Sequence, residues 1–305
     1  MTVRFHVLAS GSSGNACVLD VDGFGILLDF GLTAKQLAAR MQRCRLKWDQ
    51  IHAVLLTHPH SDHWQSATLN HIAKLKIPFY CHADHLSILS AECPAVAEMD
   101  IAGRLSRYTV GEWFALSSHC RCLPIILRHD GATTCGFRFE GTGAILGSEW
   151  AVGYAADLGS WQADLARSLA DVELLALEFN HDVNMQMRSG RSPHLIRRVL
   201  GDDGHLSNEQ AAGLLAEIAR ASTPGRLRDV VQLHLSEQCN DPELANAAAH
   251  KTCVELGLDV TIHTTRRGKP GASIILGQAG VRPRTRKPLK RSEPECVQPM
   301  LPFGE

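Results

Sequence analysis

Apolar residues in this chain come in short runs, too brief for core helices, and each run predicts a strand. The runs are Val3–Ala9, Ala16–Val21, Gly25–Asp29, Ile51–Leu56, Ile77–Cys81, Arg121–Ile126, Thr134–Glu140, Ala151–Ala155, Glu173–Leu177 and Asp229–Leu233. Between them lie segments with helical period and recognisable ends. Thr33 caps a helix running to Met41, and another is predicted over Trp64–Lys74. Ser207, with Gln210 three residues on, has the form of a capping box, and Ala211, Leu214, Leu215 and Ile218 make the buried stripe behind it. Asp241-Pro242 opens the last long helix, with proline in its first turn. Strands alternating with helices make this an α/β chain.

The strands share a second pattern, for their ends repeatedly deliver histidine or aspartate: His58 and His60, His129, Asp157, His181 and His234. One such end would mean little, whereas several imply ligands gathered at one rim of a sheet sandwich. The densest is Thr-His-Pro-His-Ser-Asp-His, with His58, His60, Asp62 and His63 directly after the buried run Ile51–Leu56. His58 and His60 project from one face of an extended chain, and Pro59 stiffens the exit from the sheet. Three imidazoles and a carboxylate suit zinc, with manganese or iron as near competitors. Ser10–Asn15 reads equally as a hairpin turn and as a loop whose amides approach an anion. His82, Asp84 and His85 fall at a helix entry and read as solvated cap residues.

Global charge names no partner, since the 305 residues carry a net charge of −1. No apolar run approaches membrane-spanning length, and no basic-then-apolar leader opens the chain, so a soluble, cytoplasmic protein is expected. The ten cysteines are scattered, and Cys120-Arg-Cys122 has the wrong spacing for a redox or zinc pair; reduced, mostly buried thiols are expected. Arg188, Arg191, Arg197 and Arg198 follow one another in an otherwise neutral segment that suits phosphate gripping or a solvated helix face. From Val281 the chain turns proline- and arginine-rich, so residues 1–280 are expected to form one domain and 281–305 a disordered basic tail.

His58-x-His60-x-Asp62-His63 resembles the signature of the metallo-β-lactamase superfamily, and Asp29, His129, Asp157 and His234 fall in that family's order. Leu8–Asn15, Phe179–Asp182, Gly204–Asn208 and His234–Asn240 are similar to the bacterial WalJ/YycJ branch. Gly-His-Leu-Ser and His-Leu-Ser are similar to motifs of ribonuclease Z, while Ser192 stands where many relatives carry an aromatic. The resemblance implies an αββα sandwich with two divalent ions, zinc first and manganese second. By that mapping His58, His60 and His129 hold one ion, Asp62, His63 and His234 the other, and Asp157 bridges them. Asp62 would also orient the attacking water, and His205, which has no slot in the ligand scheme, would contact the phosphate or protonate the leaving oxygen. His181, Asp182, Arg191 and Arg198 are candidate substrate contacts, with outer support of a ligand as the other reading of His181 and Asp182.

These readings together imply a phosphodiesterase, foremost a DNA exonuclease whose 5′ to 3′ polarity rests wholly on the resemblance. A ribonuclease or a small-molecule thioesterase of the same fold is the rival. A non-catalytic, metal-stabilised module is disfavoured, because structural zinc is usually single and closed. Gln298, Leu301 and Phe303, after the basic run, resemble the short peptide by which replication and repair proteins dock on the sliding clamp.

Overall fold

The computed structural model describes residues 1–141, 150–266 and 273–276. The expectations for the basic tail and for Gln298, Leu301 and Phe303 therefore lie outside the described residues. The first sheet takes β1 (Val3–Ala9), β2 (Ala16–Val21), β3 (Phe24–Leu28), β4 (Ile51–Leu55), β5 (Phe79–His82) and β6 (Leu105–Tyr108). The second takes β7 (Phe114–Ser117), β8 (Cys120–Leu127), β9 (Thr134–Gly141), β10 (Ala151–Ala155), β11 (Leu174–Glu178), β12 (Asp229–Leu233) and β13 (Thr261–Thr264). A last strand, β14 (Ser273–Leu276), returns to pair with β1. The orders are β14-β1-β2-β3-β4-β5-β6 and β13-β12-β11-β10-β9-β8-β7.

Alternation decides which side each residue serves. In β2, Cys17, Leu19 and Val21 face the other sheet while Ala16 and Val18 face helices; in β10, Val152 and Tyr154 face inward while Ala151 and Ala155 face helices. Both faces of these strands are buried, which is why they read as continuous apolar runs. Phe5, Phe137, Phe139 and Tyr154 fill the space between the sheets. Helices α1 (Ala34–Arg43), α2 (Ser66–Lys74), α3 (Leu86–Glu92) and α4 (Ala95–Ile101) belong to the first half of the chain, and Leu37, Leu69, Leu89 and Met99 carry them onto the first sheet. Helix α5 (Ala163–Ser168) covers the second sheet together with α8 (Asn208–Ala221) and α9 (Pro242–Glu255); α6 (Val183–Met187) and α7 (Pro193–Leu200) lie between α5 and α8 in sequence. The result is the expected αββα sandwich.

β3 to β6 run parallel, as do β10 to β13, and β8, antiparallel to β9, runs with β10. Carboxyl ends of parallel strands are where α/β folds bind ligands, because the chain must leave the sheet there and its side chains face an open crevice. Among the described residues no helix is long and apolar enough to cross a membrane. Among the described residues nine cysteines are free, and all but Cys44 are buried.

The predicted helix ends hold: Thr33 and Ser207 form capping boxes and Asp241 caps α9. The hairpin reading of Ser10–Asn15 also holds, with β1 and β2 antiparallel on either side. Four strands were not anticipated. β6, β7, β13 and β14 sit at sheet edges and are each four residues long, with exposed or half-exposed positions that dilute the apolar signal.

His85 is a correction. His82 does cap the turn, accepting from Asp84 N–H, but His85 is fully buried, with Nε2–H donating to Thr133 O at 2.6 Å and Nδ1 accepting from His82 N–H. Burial lowers its pKa to about 4. The unfolded chain therefore binds a proton that the folded one refuses between about pH 6.5 and 4. This contribution to stability is complete above pH 6.5 and is lost as pH falls through that window. At the acid end the loss is on the order of 3 kcal/mol. Urea titrations of wild type and His85→Gln across pH 7 to 4 should show a shallower acid decline in the variant, and parallel curves would contradict the assignment.

Candidate metal centre

Asp29 follows β3, Thr57 and the His58–His63 loop follow β4, His129 follows β8, Asp157 follows β10, Glu178 ends β11 and His234 follows β12. Asp29, Asp157 and His234 share a backbone device, with φ of 59°, 61° and 55° in the left-handed region. That conformation costs about 1–2 kcal/mol for a residue with a Cβ, and it turns the chain sharply off the strand. The same three residues are buried, at 0%, 1% and 3% exposure, so their side chains stay inside the turn.

The histidine loop is braced by its backbone. Asn15 N–H donates to Asp62 O at 2.7 Å, Phe30 N–H to His63 O at 2.7 Å, and Trp64 Nε1–H to Pro59 O at 3.0 Å. Gly31 packs against Asp62 so closely that a Cβ there would lie 1.8 Å from Asp62 O, so only glycine fits.

Two principal donor sets result, His58 with His60 and His129, and Asp62 with His63, Asp157 and His234. A further grouping joins Asp157 and His234 to Glu178 and His205. In the first set His58 Nε2 and His60 Nδ1 face each other at 3.0 Å, and the rings of His58 and His129 lie 5.3 Å apart. Burial, reinforced by neighbouring imidazoles, lowers the pKa of His58 and His60, which keeps their lone pairs available. In the second set burial opposes charge on His63 and His234, but the carboxylates around them outweigh it, Asp157 foremost. His63 Nε2 lies 2.5 Å from Asp157 Oδ2, and His234 Nδ1 contacts Asp157 Oδ1. A cation held here must displace those protons, so its affinity falls as pH drops.

The nitrogens that face away from the donor clusters are also assigned. His63 Nδ1–H donates to Asp29 Oδ2 at 2.8 Å, and His129 Nδ1–H to Gly204 O at 2.8 Å. His234 Nδ1 is shared, for besides its contact with Asp157 inside the set it lies 2.9 Å from Glu178 Oε1. Thr57 Oγ1–H donates to Asp29 and therefore accepts from His58 Nδ1–H at 3.0 Å. Such outer oxygens fix tautomer and ring orientation, a frequent support for metal-binding histidines. Asp157 Oδ1, buried, makes no hydrogen bond despite that contact, and a cation would satisfy it. The donor chemistry fits divalent metal.

Glu178 is the functional residue that sequence reasoning passed over. Its carboxylate is fully buried and receives Leu158 N–H, Leu206 N–H, His205 Nδ1–H at 2.8 Å and His234 Nδ1–H. Burial pushes against ionisation, but His205 and His234 prevail and hold its pKa down to about 2. The signal was there: a lone acid ends Leu-Leu-Ala-Leu-Glu, in which every position is buried. Asn15 was read only as part of a turn, yet its Nδ2–H₂ lies 2.9 Å from His63 Nε2 and 3.2 Å from Asp62 Oδ2.

His205 lies between the rings of His129 and His234, at 4.9 and 5.2 Å. Burial disfavours its charge, but Glu178 and Asp157 raise its pKa. The expected substrate contacts are dispersed. Arg198 pairs with Asp130, beside the first donor set, whereas Arg191 bonds Gln238 and Gln186. Asp182 caps α6, accepting from Met185 N–H at 2.8 Å. His181 is buried, neither ring nitrogen has a partner, and burial lowers its pKa to about 4.

The beta-lactamase superfamily domain model matches residues 25–225. The chain belongs to the metallo-β-lactamase superfamily. Within the superfamily it falls in the WalJ/YycJ-like branch. It is 28% identical over 272 residues to exodeoxyribonuclease YycJ of Bacillus anthracis, covering 85% of this chain and 92% of that one. It is 25% identical over 270 residues to exodeoxyribonuclease WalJ of Streptococcus pneumoniae, covering 85% and 91%. Its fold resembles the metallo-β-lactamase fold protein YhfI of Bacillus subtilis, with TM-score 0.63 and 13% identity over 90% of this chain and 100% of that one. Zinc-bound PqqB of Methylobacterium extorquens is similar in fold, with TM-score 0.60 and 17% identity over 89% and 99%. This superfamily member is a metal-dependent hydrolase.

If Glu178 fixes His234 for a metal, Glu178→Gln should weaken zinc binding by about 10- to 100-fold. Chelator competition on folded variant reads this directly, and wild-type affinity would contradict it.

Proposed function

We propose that this chain is a dinuclear zinc phosphodiesterase that degrades DNA exonucleolytically from the 5′ end, in replication or repair. His58, His60 and His129 would hold one ion, Asp62, His63 and His234 the other, with Asp157 between them. The observation that carries the reading is the Glu178–His205 pair beside both principal donor sets. Thioester hydrolysis expels a thiolate that leaves without a proton, whereas an alkoxide expelled from phosphorus needs one. The relatives named exodeoxyribonuclease supply the choice of DNA.

Two divalent ions held by these residues would supply Lewis acidity toward a water and toward the phosphoryl oxygens. Asp62, partly exposed and steadied by Asn15 and His234, would orient the attacking water and accept its proton. His205 holds its Nδ1–H on Glu178, which leaves Nε2–H to protonate the leaving sugar oxygen as its bond to phosphorus breaks. Against burial, Glu178 foremost and Asp157 raise the His205 pKa, which favours the protonated form that a general acid needs. Arg198, half exposed, is available to a phosphate outside the reacting one.

End-labelled single- and double-stranded DNA and RNA, given to zinc-loaded protein, test the proposal. DNA should shorten from its 5′ end, and His205→Ala should keep its metal while losing about two to four orders of magnitude in rate. Degradation of RNA alone would overturn the choice of DNA, and metal loss in His205→Ala would make that histidine a ligand.

A further inference from the structure

Three histidines of the two principal donor sets, His58, His63 and His129, have an oxygen acceptor within hydrogen-bond distance on the nitrogen away from their cluster. His234 Nδ1 is shared between Glu178 and Asp157; among the described residues His60 has no such acceptor. Its Nδ1 faces His58, so its outer nitrogen is Nε2. The nearest carboxylate oxygen to it is Asp130 Oδ1, at 3.7 Å, too far for a hydrogen bond. Asp130 Oδ1 is itself buried and has no hydrogen-bond partner, and it also lies 3.6 Å from His129 Nε2. An acceptor without a donor thus stands just beyond reach of a donor without an acceptor.

Arg198 holds the two apart. Its Nε–H donates to Asp130 Oδ2, and its side chain is 53% exposed. The Asp130 backbone is tied independently, with N–H donating to Asp203 O at 2.9 Å, so the carboxylate can turn while the chain stays in place. Gly131 follows with φ +92°, and a Cβ there would come within 2.9 Å of His60 Nε2. Glycine lets this loop lie directly against the His60 ring. A pair this exposed is worth at most about 1 kcal/mol. A phosphate oxygen, which binds guanidinium through charge-assisted bonds, competes well with it.

We propose that Asp130 is a positioning residue that couples capture of a substrate phosphate at Arg198 to the hold of His60 on its metal ion. When a phosphate takes Arg198, the Asp130 carboxylate turns to accept His60 Nε2–H and completes the outer support that the other histidines already have. Metal and substrate then strengthen each other's binding by the same factor, as linkage requires. The coupling rests on the phosphodiester reading above; the support of His60 by Asp130 does not.

The test measures zinc affinity of the full chain by chelator competition, with and without a single-stranded DNA oligonucleotide. The His205→Ala background keeps the strand uncut. In that background the oligonucleotide should tighten the zinc site of His58, His60 and His129 by several-fold. Adding Arg198→Ala should free Asp130, tighten that site without DNA and abolish any further tightening by DNA. Asp130→Ala should leave affinity without DNA near the parent's and lose the tightening with it, because Asp130 reaches His60 only once Arg198 is released. Asp130→Asn, which keeps an acceptor oxygen for His60 but no charge for Arg198, should show the tightened affinity already without DNA. An Arg198→Ala variant with no gain in zinc affinity would overturn the positioning role, and further tightening by DNA in that variant would overturn the coupling. DNA that binds the parent, by fluorescence anisotropy, without tightening zinc overturns the coupling alone. Failure of DNA to bind at all overturns the phosphodiester reading, and the coupling with it.

Discussion

Three carboxylates lie at the rim of the sandwich with no more than 1% exposure: Asp29, Asp157 and Glu178. An ionised carboxylate taken from water costs several kcal/mol unless positive charge and donors replace the solvent. Around these three the fold places His63 and His234, which pair with Asp157, and His205, which pairs with Glu178. Positive charge at the rim is therefore a condition of folding it this way. Protons on the imidazoles satisfy that condition, and a divalent metal would satisfy it in their place. The same electrostatic demand explains why the outer nitrogens meet oxygens: each such contact directs the other nitrogen toward the place where a cation is needed.

The sandwich provides what that cluster requires. Parallel strands bring their carboxyl ends to a common rim, and left-handed residues at Asp29, Asp157 and His234 turn the chain there. Glycines 31 and 131 admit backbone where any side chain would push a ligand out of place. The strain is concentrated in residues with chemistry to perform, and the close-packed aromatic core between the sheets keeps them where they are. Rigidity at the donors contrasts with the arginines around them, which are held by exposed partners and can change partner when an anion arrives.

What the sequence made legible was whatever lies close together in it. The His58–His63 cluster, the buried strands and the capped helices α1, α8 and α9 were readable because period, spacing and end signals are local. Edge strands β6 and β7 were not, since half-exposed strands of four residues carry little pattern. Glu178 escaped because its partners His205 and His234 are 27 and 56 residues away, although its place at the end of an apolar strand matched that of Asp157. His85 misled in the opposite direction. A histidine beside an aspartate at a helix entry suggested solvent, and only the approach of Thr133 O, 48 residues on, shows why it is buried. The choice among Arg191, Arg198 and Asp182 as substrate contacts was equally hidden, because it depends on which partner each side chain has already taken.

Anomalous diffraction at the zinc edge from crystals of zinc-loaded protein tests the central claim most directly, namely that outer oxygens preset which nitrogen each histidine offers. Two peaks should appear, flanking Asp157. His58, His63, His129 and His234 should ligate through Nε2, and His60 through Nδ1. A single peak, or ligation through the nitrogens now held by Asp29, Glu178 and Gly204 O, would contradict it.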